Sequence, residues 1–147
     1  MVKLFNTEYN SMQKGMGNKM MEWPMAKILV IEDEASIREM LLDELTVQGH
    51  RVVEAANGEE GLAKFLELEP DLVLCDRAMP GMSGYDVLER IRGAHPQYDD
   101  VPFVFLTALA DPRDKASVEH LRPADYIEKP VDFMKLAEKI KVLVQHA

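Results

Sequence analysis

Five strand-like segments in strict alternation with five helix-like ones constrain this chain more than any other feature. Ile28-Leu29-Val30-Ile31 is continuous and stops abruptly at Glu32-Asp33-Glu34, as a strand buried on both faces stops at the edge of a parallel sheet. Residues 35 to 48 then place Ile37, Met40, Leu41 and Leu45 on one helical stripe, with Ser36 near the start and Gly49 as the stop. Residues 51–55 read as a second strand. Asn57 can cap a second helix that carries Leu62, Phe65 and Leu66 on one face as far as Pro70.

The third run, 71–76, repeats the design of the first, an apolar stretch closed by the carboxylate of Asp76. A loop, Met79-Pro-Gly-Met-Ser-Gly84, leads into a helix with Val87, Leu88 and Ile91. Residues 102–107 form the fourth strand, and Asp111-Pro112 opens a fourth helix in the order cap then proline, with Asp114 near its positive end. A short fifth strand, 125–128, precedes Lys129-Pro130 and a last helix capped by Asp132, with Phe133, Leu136, Ala137, Ile140 and Val144 along one stripe. Strict strand-helix alternation implies parallel strands joined by right-handed crossovers. The fold class expected is α/β: a doubly wound five-stranded parallel sheet in the flavodoxin-like order 2-1-3-4-5, with helices on both faces.

A chain of 147 residues has room for one such domain. Residues 1–24 show no sustained period and read as an N-terminal appendage, with Met25 as a candidate natural start. Residues 25–147 read as the ordered domain. Seventeen Lys and Arg against 26 Asp and Glu give a net charge of −9, which repels phosphate backbones and anionic bilayers, so neither nucleic acid nor membrane is an expected partner. The apolar runs fall far short of the roughly 20 residues that cross a bilayer. The single cysteine, Cys75, lies inside an apolar run and cannot form an internal disulfide, which fits a reducing cytoplasm. His50, His95, His120 and His146 show no metal-ligand spacing and are expected to be solvated.

In open sheets of this kind ligands bind outside the carboxyl ends of the strands where strand order reverses, here between the first and third strands. Those ends carry Glu32, Asp33 and Asp76, while the fourth and fifth strands end in Thr107 and Lys129. Glu32-Asp33-Glu34 alone would read as a solvated turn; its position after a buried strand argues otherwise for Glu32 and Asp33. Two carboxylates about 4 Å apart repel by about 4 kcal/mol at an effective dielectric of 20. Protonation of one acid or the ammonium of Lys129 would offset this, but hard oxygen ligands at an open edge also suit Mg2+ together with phosphate oxygens. An ionised Asp76 is a competent nucleophile toward phosphorus, and phosphoryl transfer needs mainly positioning and charge neutralisation.

The segments I-E-D-E at 31–34, D-R-A-M-P-G-M-S-G at 76–84, L-T-A at 106–108 and Y-I-E-K-P at 126–130 closely resemble the receiver domains of two-component response regulators, over residues 26–144. The resemblance implies that Asp76 is the phosphoacceptor, served by a histidine kinase or histidine phosphotransfer protein. It implies Mg2+ as cofactor, with Asp33 and Asp76 as ligands, Glu32 acting through water, and the backbone carbonyl of Ala78 completing the set. Lys129 would pair with a phosphoryl oxygen and precede a cis bond to Pro130. Thr107 and Tyr126 would be the switch pair, remodelling the face of the fourth helix, fifth strand and fifth helix for a downstream protein target. Ala78 and Leu109, at the family's water-path positions, cannot orient a water, so slow self-dephosphorylation is expected. The usual Gly-Ala-Asp turn before the fifth strand reads Arg122-Pro-Ala-Asp125, implying a stiffer or differently shaped end to the fourth helix.

The resulting expectation is a stand-alone, chemotaxis-type receiver, a phosphorylation-gated module and not an enzyme, monomeric or dimerising on phosphorylation. The chain runs out soon after the fifth helix, which leaves no length for an effector domain unless this is the receiver fragment of a longer regulator. An aspartate-nucleophile phosphatase of the haloacid dehalogenase type would need a second aspartate two residues after Asp76, where Ala78 stands. A flavodoxin-like electron carrier would need a Ser-, Thr- and Gly-rich first loop, and Glu32-Asp33-Glu34 would repel its cofactor phosphate. A receiver that binds without phosphate is disfavoured by the complete set of active groups.

Overall fold

The computed structural model describes residues 25–108 and 112–145. The proposed appendage, the Asp111 cap, Leu109 and His146 all lie outside the described residues. The elements are β1 (Lys27–Ile31), α1 (Ala35–Val47), β2 (Arg51–Ala55), α2 (Gly58–Leu68), β3 (Leu72–Asp76), α3 (Gly84–Ala94), β4 (Phe103–Thr107), α4 (Pro112–Ser117), β5 (Asp125–Glu128) and α5 (Phe133–Gln145). Short 3-10 turns occupy Pro96–Tyr98 and Glu119–Leu121. All strand pairs are parallel, in the order β2-β1-β3-β4-β5. The expected fold class is the observed one.

Strand alternation divides the core between the two faces of the sheet. Leu29, Ile31, Val73, Cys75, Phe103 and Phe105 pack against Phe65 of α2 and Val87, Leu88 and Ile91 of α3. Ile28, Val30, Leu72, Leu74, Val104 and Leu106 face Leu41 and Leu45 of α1 and Leu136 and Ile140 of α5. Phe65, Phe103 and Phe105 are fully buried, each contributing about 2–3 kcal/mol of transfer free energy. Cys75 is buried as a small hydrophobe.

Local chemistry sets the helix starts. The Asn57 side chain accepts from the Glu60 amide at 2.8 Å, and Asp132 Oδ1 accepts from Met134 and Lys135 at 3.0 and 3.2 Å. Ser83 and Asp86 form a reciprocal capping box that anchors the loop after β3. Ser36 plays no such part, because α1 starts after Glu34 with no side-chain cap. Gly49 does end the α1 segment, at φ +95°, where a side chain would be strained.

His50 is not solvated: it is buried in the turn between α1 and β2, and its Nδ1 accepts from the Ala26 amide at 3.1 Å. Its amide donates to the Leu45 carbonyl at 3.1 Å, so it is held between the end of α1 and the start of β1, which no histidine spacing could reveal. Arg122 adopts the left-handed conformation, φ 55° and ψ 55°, that glycine would occupy at that turn. A side chain is therefore held in a region of backbone space that favours glycine. Arg92 supports it, donating to the carbonyls of Leu121 at 3.0 Å and Tyr98 at 3.2 Å.

Candidate functional site

β1 and β3 are hydrogen-bonded neighbours, with Ile31 opposite Cys75, so the residues that follow them share one edge. The Glu32 amide donates to the Ala55 carbonyl at 3.0 Å, and Arg38 Nη1 donates to the Glu32 carbonyl at 2.8 Å, fixing the acidic turn against β2 and α1. Carboxylate oxygens of Glu32, Asp33 and Asp76 all lie within 4.8 Å of one another. Asp76 is almost fully buried, and its Oδ1 accepts from the Ala78 amide at 3.2 Å.

Lys129 reaches in from the end of β5. Its Nζ lies 2.8 Å from Glu32 Oε1 and 3.2 Å from Asp76 Oδ2. The Lys129 amide donates to the Thr107 carbonyl at 2.7 Å, tying the ends of β4 and β5 together, and the Lys129–Pro130 peptide is cis. Thr107 is buried at the end of β4. Asp33, Asp76, Ala78, Thr107 and Lys129 line one cavity of about 340 Å³, together with Glu34, Arg77 and Ala108.

Burial sets the electrostatics. Desolvation pushes the Glu32 carboxyl up to about 7, against the opposing hydrogen bond from Lys129, with Asp76 adding to the rise. Burial alone would raise Asp33, but hydrogen bonding to Glu32 and Asp76 and the charge of Lys129 hold it below its ordinary value. Desolvation works against the Lys129 ammonium, yet Glu32 and Asp76 hold its pKa above the usual lysine value. Three acids facing one ammonium leave an excess of negative charge that a hard divalent cation would neutralise.

The structure thus brings together Glu32, Asp33, Asp76, Ala78, Thr107 and Lys129. Glu32 lies fully buried below the cavity, while Asp33 is exposed at its mouth. Tyr126 stands apart, two residues before Glu128 on β5, and lines a different cleft with Lys115, Ala116, Glu119, Arg122 and Pro123. Its ring packs 5.9 Å from Phe105, and its hydroxyl is buried with no hydrogen-bond partner among the described residues. Sequence reading passed over Arg38, whose only signal was a cation one helical turn past the acidic run. It also passed over Arg77, although a guanidinium beside a buried carboxylate is itself a signal.

The profile of the response regulator receiver domain matches residues 28–141. The "Probable transcriptional regulator ycf27" of Porphyridium aerugineum is 41% identical over 119 residues, which is 81% of this chain and 48% of that protein. The "Transcriptional regulatory protein AfsQ1" of Streptomyces coelicolor is 39% identical over 82% of this chain and 52% of its own length. The chain therefore spans about half the length of the curated relatives it matches. Among solved structures, Vibrio cholerae chemotaxis protein CheY4 superposes with a TM-score of 0.77 at 30% identity, covering 82% of this chain and 99% of that one. NtrX from Brucella abortus does so with a TM-score of 0.73 at 27% identity, covering 82% of this chain but 27% of that one. With the sheet order, the clustered acids and the Lys129 contact in agreement, the chain belongs to the response regulator receiver domain family.

Proposed function

We propose that this receiver accepts a phosphoryl group on Asp76 from a histidine kinase or histidine phosphotransfer protein and so changes its binding to a downstream protein. The observation that carries the reading is the 3.2 Å contact of Lys129 with an Asp76 carboxylate that shares its site with Glu32 and Asp33. An oxygen of Asp76 attacks phosphorus as the P–N bond of the donor breaks. The imidazole leaves with the bonding electrons and is protonated. Lys129 is placed to neutralise one phosphoryl oxygen and the Thr107 hydroxyl to meet another.

The hard oxygen donors and their uncompensated charge fit Mg2+. Asp33, Asp76 and the Ala78 carbonyl would hold it, with Glu32 behind them through water. Bound there, it would screen the anionic donor from the carboxylates. Phosphorylation then favours the arrangement in which Thr107 and Tyr126 have moved and the α4–β5–α5 face is remodelled. Ala78, and Leu109 outside the described residues, offer no group to orient an attacking water, so the acyl phosphate persists until an external phosphatase or back-transfer removes it. No described helix is long and apolar enough to cross a membrane.

A second reading has its own support. The curated relatives are about twice as long as the matched segment and carry names of transcriptional regulators, so this segment would serve equally as the receiver of a longer DNA-binding regulator. Incubation with Mg2+ and acetyl phosphate, followed by intact mass, tests the common core. Wild type should gain one phosphoryl group and Asp76→Asn none. Equal labelling of both, or steady hydrolysis of an external phosphate ester, would overturn the assignment.

A further inference from the structure

Arg77 follows the proposed phosphoacceptor directly and has no part in the mechanism above. Its backbone is fixed, because its amide donates to the Leu106 carbonyl at 2.9 Å and its carbonyl accepts from the Gly84 amide at 3.0 Å. Its side chain leaves β3 and clasps Asp114 of α4 in a bidentate ion pair, through Nε and Nη2 to the two carboxylate oxygens. The Tyr85 hydroxyl of α3 donates to the same carboxylate at 2.9 Å, and the guanidinium lies 5.4 Å from the Tyr85 ring centroid. Tyr85 is held edge-on to Phe105 at 4.9 Å. One carboxylate on α4 is thereby tied both to the strand that carries Asp76 and to α3.

Arg77 also lines the cavity around Asp76, where it and Lys129 are the cationic lining residues among those described. Lys129 is already engaged by Glu32 and Asp76. A phosphoryl group on Asp76 would place about two negative charges and three strong acceptors beside Arg77, against the single charge of Asp114. A guanidinium fork matches a carboxylate and a phosphate equally well in shape, so the comparison is decided by charge.

We infer that Arg77 is a second phosphoryl-binding residue that exchanges Asp114 of α4 for the phosphoryl oxygens, so that occupancy at Asp76 releases α4. The inference rests on the reading of Asp76 as phosphoacceptor. Release is communicated one residue on: Lys115 Nζ sits 4.7 Å from the Tyr126 ring centroid, so freeing Asp114 loosens the cover of Tyr126. By linkage, whatever weakens the Arg77–Asp114 pair must strengthen phosphoryl binding, provided Arg77 remains. The two partners of this ion pair therefore have opposite mutational signs, which a purely structural salt bridge would not give.

The test is the affinity for beryllofluoride, a phosphoryl mimic, titrated in Mg2+ and followed by fluorine NMR on the full chain. Asp114→Asn should bind it about five-fold tighter than wild type, the lower end of typical coupling energies. Arg77→Ala should bind it about five-fold or more weaker, and Arg77→Lys, which keeps the charge but loses the fork, should restore most of the loss. Thermal melts without ligand show that each variant is folded at the assay temperature. Tightening in both Asp114→Asn and Arg77→Ala, or no change in Asp114→Asn, would overturn the exchange. No binding by wild type would instead bring down the phosphoacceptor reading itself, and this inference with it.

Discussion

His50 makes the stability of this domain depend on pH in a window set by burial alone. The residue is 4% exposed, Nδ1 accepts from the Ala26 amide at 3.1 Å, and Nε2 is buried with no partner among the described residues. Desolvation lowers its pKa from the ordinary 6.5 to about 4. Between these values the unfolded chain binds the proton and the folded chain does not, so stability rises with pH. The contribution is fully present above pH 6.5 and is lost as pH falls toward 4. At about 1.36 kcal/mol per pH unit, it amounts to about 3 kcal/mol, of which about 2.5 kcal/mol is gone by pH 4.5. Carboxylates also titrate in this range, so the measurement must be differential. His50→Gln keeps an acceptor oxygen for the Ala26 amide and removes the titration. Urea unfolding of both proteins from pH 7.5 to 4.5 should show wild type losing about 2.5 kcal/mol more than the variant, with the divergence beginning near pH 6.5. Parallel curves would refute the argument, as would an NMR titration of His50 with a midpoint near 6.5 in the folded protein.

Gly84 opens α3 where its Cα passes the end of β3; a Cβ there would strike the Asp76 carbonyl oxygen and lie 3.1 Å from Arg77 Cα and from a Phe105 ring carbon. Gly84→Ala should cost about 2 kcal/mol or more by urea unfolding and slow phosphoryl uptake at Asp76, and wild-type values for both would show that the loop gives way freely. Arg122 occupies left-handed backbone space at a cost of about 1 kcal/mol, while its 3.3 Å ion pair with Asp99 is largely exposed and worth less. Arg122→Gly should therefore stabilise the domain by about 0.5 kcal/mol, read as a rise in melting temperature, and a fall would assign more to the Asp99 pair than its exposure allows.

The chain order of apolar runs and helical stripes determined the architecture, because strands that alternate with helices are joined as parallel neighbours and the helices then bury Ile28–Ile31, Leu72–Cys75 and Phe103–Leu106 from both sides. It also determined which end of the sheet gathers the carboxylates, Thr107 and Lys129, since all of them stand where runs end, and a strand that leaves the core must end at one edge. The caps at Asn57 and Asp132 were legible for a related reason, because their hydrogen bonds reach only two or three residues along the chain. What lay beyond the sequence depends on distances across the fold. His50 reads as a polar turn residue until α1 folds back over β1 and β2 and removes its water. Asp114 reads as a helix-start acid until Arg77, 37 residues earlier, and Tyr85 converge on it. The left-handed Arg122 lies in a turn that Arg92 reaches from α3, donating to the Leu121 carbonyl at 3.0 Å. Periodicity reports which face of an element is buried, but the partner of a polar group is chosen by which elements become neighbours, and that information exists only once the chain has closed.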